Sequence, residues 1–199
     1  MSNKNEKLYI EINKDIIGKL TNITDIEKQC IIHYLSNLTA TPIRPYYIEI
    51  GVFYGGTFRL ILDTFRENIL AIGIDLFEDF DVTKQNTHDK VVTKKHILEE
   101  VLTELGHKNF ILLKGDSNKL INTLPPIPLA CCFIDGNHSF DATLKDFLSL
   151  YNKVECGFFL FHDSHYWGVP DVINIVKTYP RAKQIGKQDS ITVFQICPK

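Results

Sequence analysis

From residue 46 onward the chain alternates short apolar runs with segments of helical periodicity, and that alternation restricts its fold more than any other feature. Five runs read as strands: Tyr46–Ile50, Ile69–Ile74, Phe110–Lys114, Leu129–Asp135 and Gly157–His162. Helical faces lie between and after them. Phe58, Ile61, Leu62 and Phe65 form the first, and Val91, Leu98, Val101, Leu102 and Leu105 the second. A short helix is expected near Asn118–Ile121, and further faces carry Phe140, Leu144, Phe147, Leu148 and Tyr151, then Val172, Ile173, Val176 and Tyr179. Strands that are apolar at nearly every position have both faces covered, which argues a parallel sheet with helices on either side. Two last β-like runs, near Ala182–Ile185 and Ile191–Ile196, flank Gly186-Lys187-Gln188-Asp189-Ser190. A linker that short suits a hairpin and adds an antiparallel strand. The class is α/β.

Residues 1–45 read as an N-terminal helical extension to a main domain over 46–199, and 199 residues suffice for a single compact domain with a sizeable core. Thr24-x-x-Glu27 has the form of a capping box, with Ile26, Cys30, Tyr34 and Leu38 following at helical spacing. Pro42 and Pro45 end that helix and lead into the first strand. A polar loop is expected from about residue 77 to 90.

A formal net charge of -2, with Lys and Arg scattered, offers no electrostatic reason to bind nucleic acid or an anionic membrane. No apolar run approaches the length of a membrane span, and the polar start shows no secretory signal. The five cysteines contain no C-x-x-C pair and mostly lie in apolar segments, as buried thiols do in a reducing compartment. The expected address is the cytoplasm.

Chemistry concentrates where the strands end. Ile48-Glu49-Ile50-Gly51-Val52-Phe53-Tyr54-Gly55-Gly56-Thr57 breaks from the first strand at a glycine and reaches two more before the next helix. Glycine there allows a sharp turn and the close approach of a ligand. The spacing is not the dinucleotide fingerprint G-x-G-x-x-G, which disfavours a nicotinamide cofactor. Glu49, Asp75, Asp116, Asp135 and Asp163 stand at or just beyond the ends of the five strands. Ligands of open α/β sheets bind at that edge. A single acid there is as often a helix cap or loop residue, but five in register call for a cationic, hydroxyl-rich or metallic neighbour. Asp75, closing Ile-Gly-Ile-Asp, can take both hydroxyls of a ribose. Asp116 would then accept from an adenine amine, and Ser117 is equally suited to be a helix cap.

The acid-x-Gly-x-x-x-Gly pattern resembles motif I of the class I S-adenosylmethionine-dependent methyltransferases. Phe-Ile-Asp-Gly-Asn-His-Ser-Phe at 133–140, Asp146, and Phe-His-Asp-Ser at 161–164 are similar to small-molecule O-methyltransferases of the macrocin and rhamnosyl type, related in fold to the catechol enzyme. The resemblance implies a Rossmann-like, doubly wound, seven-stranded sheet, mostly parallel, in the order 3-2-1-4-5-7-6. It implies S-adenosylmethionine held by Glu49, Gly51, Phe53, Tyr54, Gly55, Thr57, Asp75, Leu76, Asp116, Ser117 and Asp135. Such enzymes often bind magnesium (Mg2+) through fourth- and fifth-strand acids, which match Asp135 and Asp163. Metal-binding relatives usually follow the second acid with Asp or Asn, whereas this chain has Ser164.

His138, His162 and His165 fall at the same edge, where an imidazole can take a proton from an acceptor hydroxyl. The catalytic set is Asp135, His138 and His162, with His138 the preferred base. His162 ends an apolar strand and is the one best suited to a structural role. Phe53, Tyr54, Phe77, Phe80, Tyr166 and Trp167 could wall a pocket for a small-molecule acceptor, although most aromatics in such a chain are core. Rival readings keep the fold with hydroxylase-like or aminopropyl-transfer chemistry, or make the chain a non-catalytic nucleotide-binding protein. A homodimer is left open.

Overall fold

The computed structural model describes residues 22–36, 44–77 and 95–198. The expected polar loop beyond Phe77, together with Leu38, Pro42, Phe80 and Val91, lies outside the described residues. Helix α1 (Asp25–Ser36) precedes the sheet. Strands β1 (Tyr46–Ile50), β2 (Leu70–Asp75), β3 (Phe110–Lys114), β4 (Leu129–Ile134) and β5 (Gly157–Phe161) pair in parallel. They are joined by α2 (Gly56–Phe65), α3 (Lys95–Glu104), α4 (Ser117–Thr123) and α5 (Phe140–Tyr151). Helix α6 (Val169–Val176) follows, then β6 (Ala182–Gln188) and β7 (Ile191–Ile196), which pair antiparallel with each other, β7 also with β5. The order is β3-β2-β1-β4-β5-β7-β6, as the resemblance implied.

Side chains alternate across a strand, so each apolar run feeds two cores. Tyr47, Ala71, Leu112, Cys131, Phe133, Leu160 and Val193 meet α1, α2 and α3 on one face. Ile48, Ile72, Cys132, Phe159, Phe161 and Phe194 meet α4, α5 and α6 on the other. Fully buried Phe133, Phe147, Phe159, Phe161 and Phe194 contribute roughly 1.5–3 kcal/mol each. Exposed ion pairs such as Lys28–Asp25 and Arg59–Asp63 contribute about 0–1 kcal/mol. The cores, not the surface charges, hold the sheet together. At its far end Arg181 donates to the carbonyls of Tyr151, Val154, Glu155 and Cys197, tying β7 to the α5–β5 turn. Among the described residues no helix is long and apolar enough to cross a membrane.

Three local expectations are corrected. The buried stripe of α1 is Glu27, Cys30, Ile31 and Leu35, not the line through Ile26, which is half exposed. The helix is rotated so that Ile31 and Leu35 pack on the sheet and Glu27 finds polar partners inside. Leu105 is exposed beyond the end of α3, where Gly106 at φ 88 closes the helix and His107 N–H donates to Leu102 O. The hairpin turn is Asp189-Ser190 alone. Strand β6 continues through Gly186 to Gln188, opposite Ile191, and Asp189 takes φ 52 at the corner.

Candidate active site

The glycine loop hangs from the neighbouring strand ends. Gly51 sits at φ 88 and donates its N–H to Ile74 O at 2.9 Å. A Cβ on Gly51 would lie 2.2 Å from the Asp135 carbonyl oxygen and 2.8 Å from Gly136 Cα. This residue therefore has to be glycine for two reasons, its dihedral and the backbone pressed against it. Asp75 reaches under the loop: Oδ2 accepts from Val52 N–H at 2.8 Å and Phe53 N–H at 2.9 Å, while Oδ1 accepts from Phe77 N–H at 2.7 Å. The carboxylate shapes the loop and keeps further lone pairs for a ligand.

Gly55, at φ 77, caps α2, and Thr57 is buried in its first turn. Glu49 is fully buried and accepts a 2.6 Å hydrogen bond from the Tyr47 hydroxyl. Burial pushes its carboxyl well above the usual range, Asp135 and Asp75 add to the rise, and the Tyr47 hydroxyl opposes it. Phe53, at φ 50, and Leu76 stand exposed along this edge. Tyr54 and Phe77 are buried, and Phe77 joins the core on the face covered by α1, α2 and α3.

Beyond β3, Asp116 rather than Ser117 caps α4, accepting from Asn118 N–H at 3.0 Å. Ser117 is the first helical residue and donates its hydroxyl to Asp146 Oδ1 at 2.5 Å. Asp146 is buried on α5. Burial pushes its carboxyl up to about 6, against the Ser117 hydrogen bond and with help from Asp116. An acid with a raised folded pKa holds its proton more tightly when folded, so stability falls as pH rises from 3.8 toward about 6. That loss is about 3 kcal/mol at most. Asp146→Asn keeps an acceptor for Ser117 and is expected to flatten the slope. Urea melts at about pH 4 and about pH 6.5 measure it, and equal slopes in both proteins refute the assignment.

The ends of β4 and β5 bring two acids and two imidazoles together. Asp135 Oδ1 lies 2.7 Å from His162 Nδ1 and 3.2 Å from His138 Nε2. Asp163 approaches the same nitrogens, Oδ2 at 3.5 Å from His138 Nε2 and Oδ1 at 3.8 Å from His162 Nδ1. Burial would raise the Asp135 carboxyl, but the two histidines outweigh it and hold it below the usual range. His162 responds in the opposite sense: burial lowers it, and the surrounding carboxylates, Asp135 first, carry it up to about 8. One ligand atom from each of Asp135, His138, His162 and Asp163 falls within 4.8 Å of the others, a spacing one cation can bridge. The Ser164 hydroxyl, next in the chain, is buried with no hydrogen-bond partner among the described residues.

The loop after β5 folds over this cluster. Asp163 at φ 50 and Trp167 at φ 48 shape it, and Gly168 N–H donates to His138 O. Trp167 lies against the His138 ring at 5.3 Å and, with Tyr166, remains exposed beside it. His165 packs on Tyr166, away from the acids' first contacts. Sequence reasoning missed two participants, Glu27 of α1 and Ser190 of the hairpin turn. Glu27 Oε1 lies 3.5 Å from His162 Nε2 and accepts from Ser190 N–H at 3.2 Å and from its hydroxyl. An acid in line with Ile31 and Leu35 on a helix face was the signal available.

A family model described as a methyltransferase domain matches residues 48–164. Among solved structures, the O-methyltransferase NovP shares 14% identity and superposes with a TM-score of 0.71, over 96% of this chain and 99% of that one. Cofactor-bound Rv0187 from MTB shares 10% identity at a TM-score of 0.68, over 100% and 93% of the two chains. TrmN from Thermus thermophilus shares 12% identity at a TM-score of 0.62, over 94% of this chain and 52% of that one. At such identities the likenesses establish a common fold. No curated protein matches the chain.

Proposed function

The chain belongs to the methyltransferase-domain family, and from that membership we propose that it transfers the methyl group of S-adenosylmethionine to a hydroxyl of a small-molecule acceptor. One observation carries the reading. Asp135 presents its backbone to Gly51 of the glycine loop and its side chain to His138 and His162, so the cofactor loop and the acid–imidazole cluster share one residue. A sulfonium methyl held by the loop would face the groups able to receive a proton.

In the reaction the acceptor oxygen forms a bond to the methyl carbon as the carbon–sulfur bond breaks, and the electron pair returns to sulfur. The hydroxyl proton must leave. Its receiver in this reading is His138, whose Nε2 is turned to Asp135 and Asp163, leaving Nδ1 to accept. The protein chiefly aligns the two reactants, since the sulfonium is already activated. Asp75 would take the ribose, and Asp116 the adenine edge. The exposed rings of Tyr166 and Trp167 beside His138 suit an acceptor with a flat or sugar-like ring.

The donor set at Asp135, His138, His162 and Asp163 fits a divalent cation. Two imidazoles beside two carboxylates suit a borderline ion such as zinc better than magnesium, which prefers oxygen alone, with the harder manganese ion between them. When bound, such an ion would occupy His138 Nε2 and leave its Nδ1 protonated, so loss of the acceptor proton would then follow from the oxygen's lowered proton affinity rather than from His138.

Calorimetric titration with S-adenosylhomocysteine, NAD, Mn2+ and Mg2+ tests the reading. Binding of the methionine-derived nucleotide but not NAD is expected, and its absence from folded protein would sink the proposal. Asp75→Ala should weaken that binding about ten- to a hundredfold, the worth of hydrogen bonds to a charged group. Unchanged affinity removes Asp75 from the cofactor site.

A further inference from the structure

We propose that Asp146, buried on α5, is a positioning residue that commits the Ser117 hydroxyl to accept from the cofactor's base, and so selects a base with an exocyclic amine over one with a carbonyl. It would do so within the S-adenosylmethionine reading, on which the assignment rests. Asp146 belongs neither to the glycine loop nor to the acid–imidazole cluster. Ser117 donates its hydroxyl proton to Asp146 Oδ1 at 2.5 Å. A hydroxyl has one proton to give, and an ionised carboxylate only accepts. Burial brings the Asp146 carboxyl up to about 6, so above about pH 7 it is ionised. The Ser117 oxygen then has lone pairs to offer a ligand and no proton.

The strand ends put that oxygen where a base would lie. Asp75 stands opposite Lys114 in the register of β2 and β3, and Gly115 N–H donates to Asp75 O at 2.9 Å. A nucleoside whose ribose meets Asp75 and which continues outward across the sheet has its base against residues 115–117. Ser117 is half-buried there. Asp116 Oδ1 takes Asn118 N–H, which leaves Oδ2 to accept. An exocyclic amine brings two N–H groups, and Asp116 and Ser117 are two acceptors on consecutive residues. A carbonyl in the same position would meet two acceptors and no donor.

Packing does not account for an acid at this place. Among the described residues the Ser117 hydroxyl is the one hydrogen-bond donor to Asp146, and the charge of Asp116 works against it. A buried carboxylate so thinly compensated is costly, and an apolar side chain of similar size would hold α4 on α5 as well or better. The two helices also share a second polar tie, Ser149 Oγ donating to Asn118 Oδ1 at 3.2 Å, about one turn further along α5. What the acid alone supplies is the direction of the Ser117 proton.

The test is calorimetric titration at about pH 8 with S-adenosylhomocysteine and with its hypoxanthine analogue, S-inosylhomocysteine. Wild type should prefer the adenine form about a hundredfold. Asp146→Ala should lower that preference about tenfold, the worth of one matched hydrogen bond against a mismatched one. Asp146→Leu, which fills the same space, takes its place where the Ala variant fails to fold. Ser117→Ala should lower the preference equally, and the double variant no further, because Asp146 acts through that hydroxyl. Ser149→Ala, which loosens the same helix pair but leaves Asp146 and Ser117, should retain the wild-type preference. A preference unchanged in the Asp146 variants, or losses that add in the double variant, overturns the proposal and makes Asp146 a helix tie. The same loss in Ser149→Ala assigns the effect to a loosened α4 and overturns it too. Wild type that binds both compounds equally strikes the selector and spares the methyl-donor reading, whereas binding of neither strikes both.

Discussion

Gly51→Ala is expected to be the most damaging single-methyl change in the protein, lowering stability by about 4 kcal/mol or more. Two costs combine. An alanine at φ 88 is strained by roughly 1–2 kcal/mol, and its methyl would sit 2.2 Å from the Asp135 carbonyl oxygen. The obstacle is backbone, not a side chain that could rotate away, so the β1 and β4 ends must separate. Against a total stability of roughly 5–15 kcal/mol, such a loss lowers the melting temperature by roughly 10 °C in a chain of this size. Thermal and urea denaturation measure it. A loss below about 1 kcal/mol would show that the loop can retreat and that the glycine serves ligand approach only. Where Gly51→Ala still folds, S-adenosylhomocysteine binding should be lost with the displaced loop.

The second large effect is expected at Asp135→Asn, with a pH signature that separates it from generic damage. The substitution keeps volume and one acceptor but leaves His138 and His162 without the charge both lean on. Breaking a fully buried charged pair from one side costs about 3–5 kcal/mol, and the cost here is smaller because Asp135 and His138 keep about a fifth of their exposure. His162 has its folded pKa raised from 6.5 to about 8. A histidine raised in this way adds stability that is fully present below pH 6.5 and is lost as pH climbs through about 8. Its share is about 2 kcal/mol at most, and the lowered Asp135 carboxyl expresses the same interaction, so the two are not added. The deficit of Asp135→Asn relative to wild type should therefore be larger near pH 6 than near pH 9. Melts in the presence of chelator, where no cation competes for the carboxylate, provide the comparison. A deficit independent of pH would assign the loss to packing and detach His162 from Asp135.

Glu49 and Asp75 illustrate how much of the site was legible. Their positions at strand ends follow from the apolar runs before them, and the parallel sheet then brings them to one edge. What each carboxylate does there was not legible. Asp75 accepts from three backbone N–H groups of its own loop surroundings, and Glu49 is sealed beneath the loop with Tyr47. Ser117 shows the same limit: it was expected as a helix cap or beside the adenine, and the partner that matters to it, Asp146, is 29 residues away. Helix α1 was the largest surprise. Its capping box was readable locally and is present, yet the face it buries was not, because Ile26 and Ile31 are equally apolar and only the sheet decides between them.

The sequence by itself determined the fold class, the strand order through its family pattern, the glycine loop and the row of acids. Each of these depends on local periodicity or on spacing along one strand–loop–helix unit, where near neighbours set the physics. Only the tertiary structure decided that Gly51 is pressed against Asp135, that Asp135 joins His138 and His162, and that Glu27 reaches His162 from the far end of the chain. Those contacts form when separate units pack on a common sheet. A charge's worth depends on how deeply that packing buries it and on which partner arrives from elsewhere, and neither is encoded in the residue's own neighbourhood.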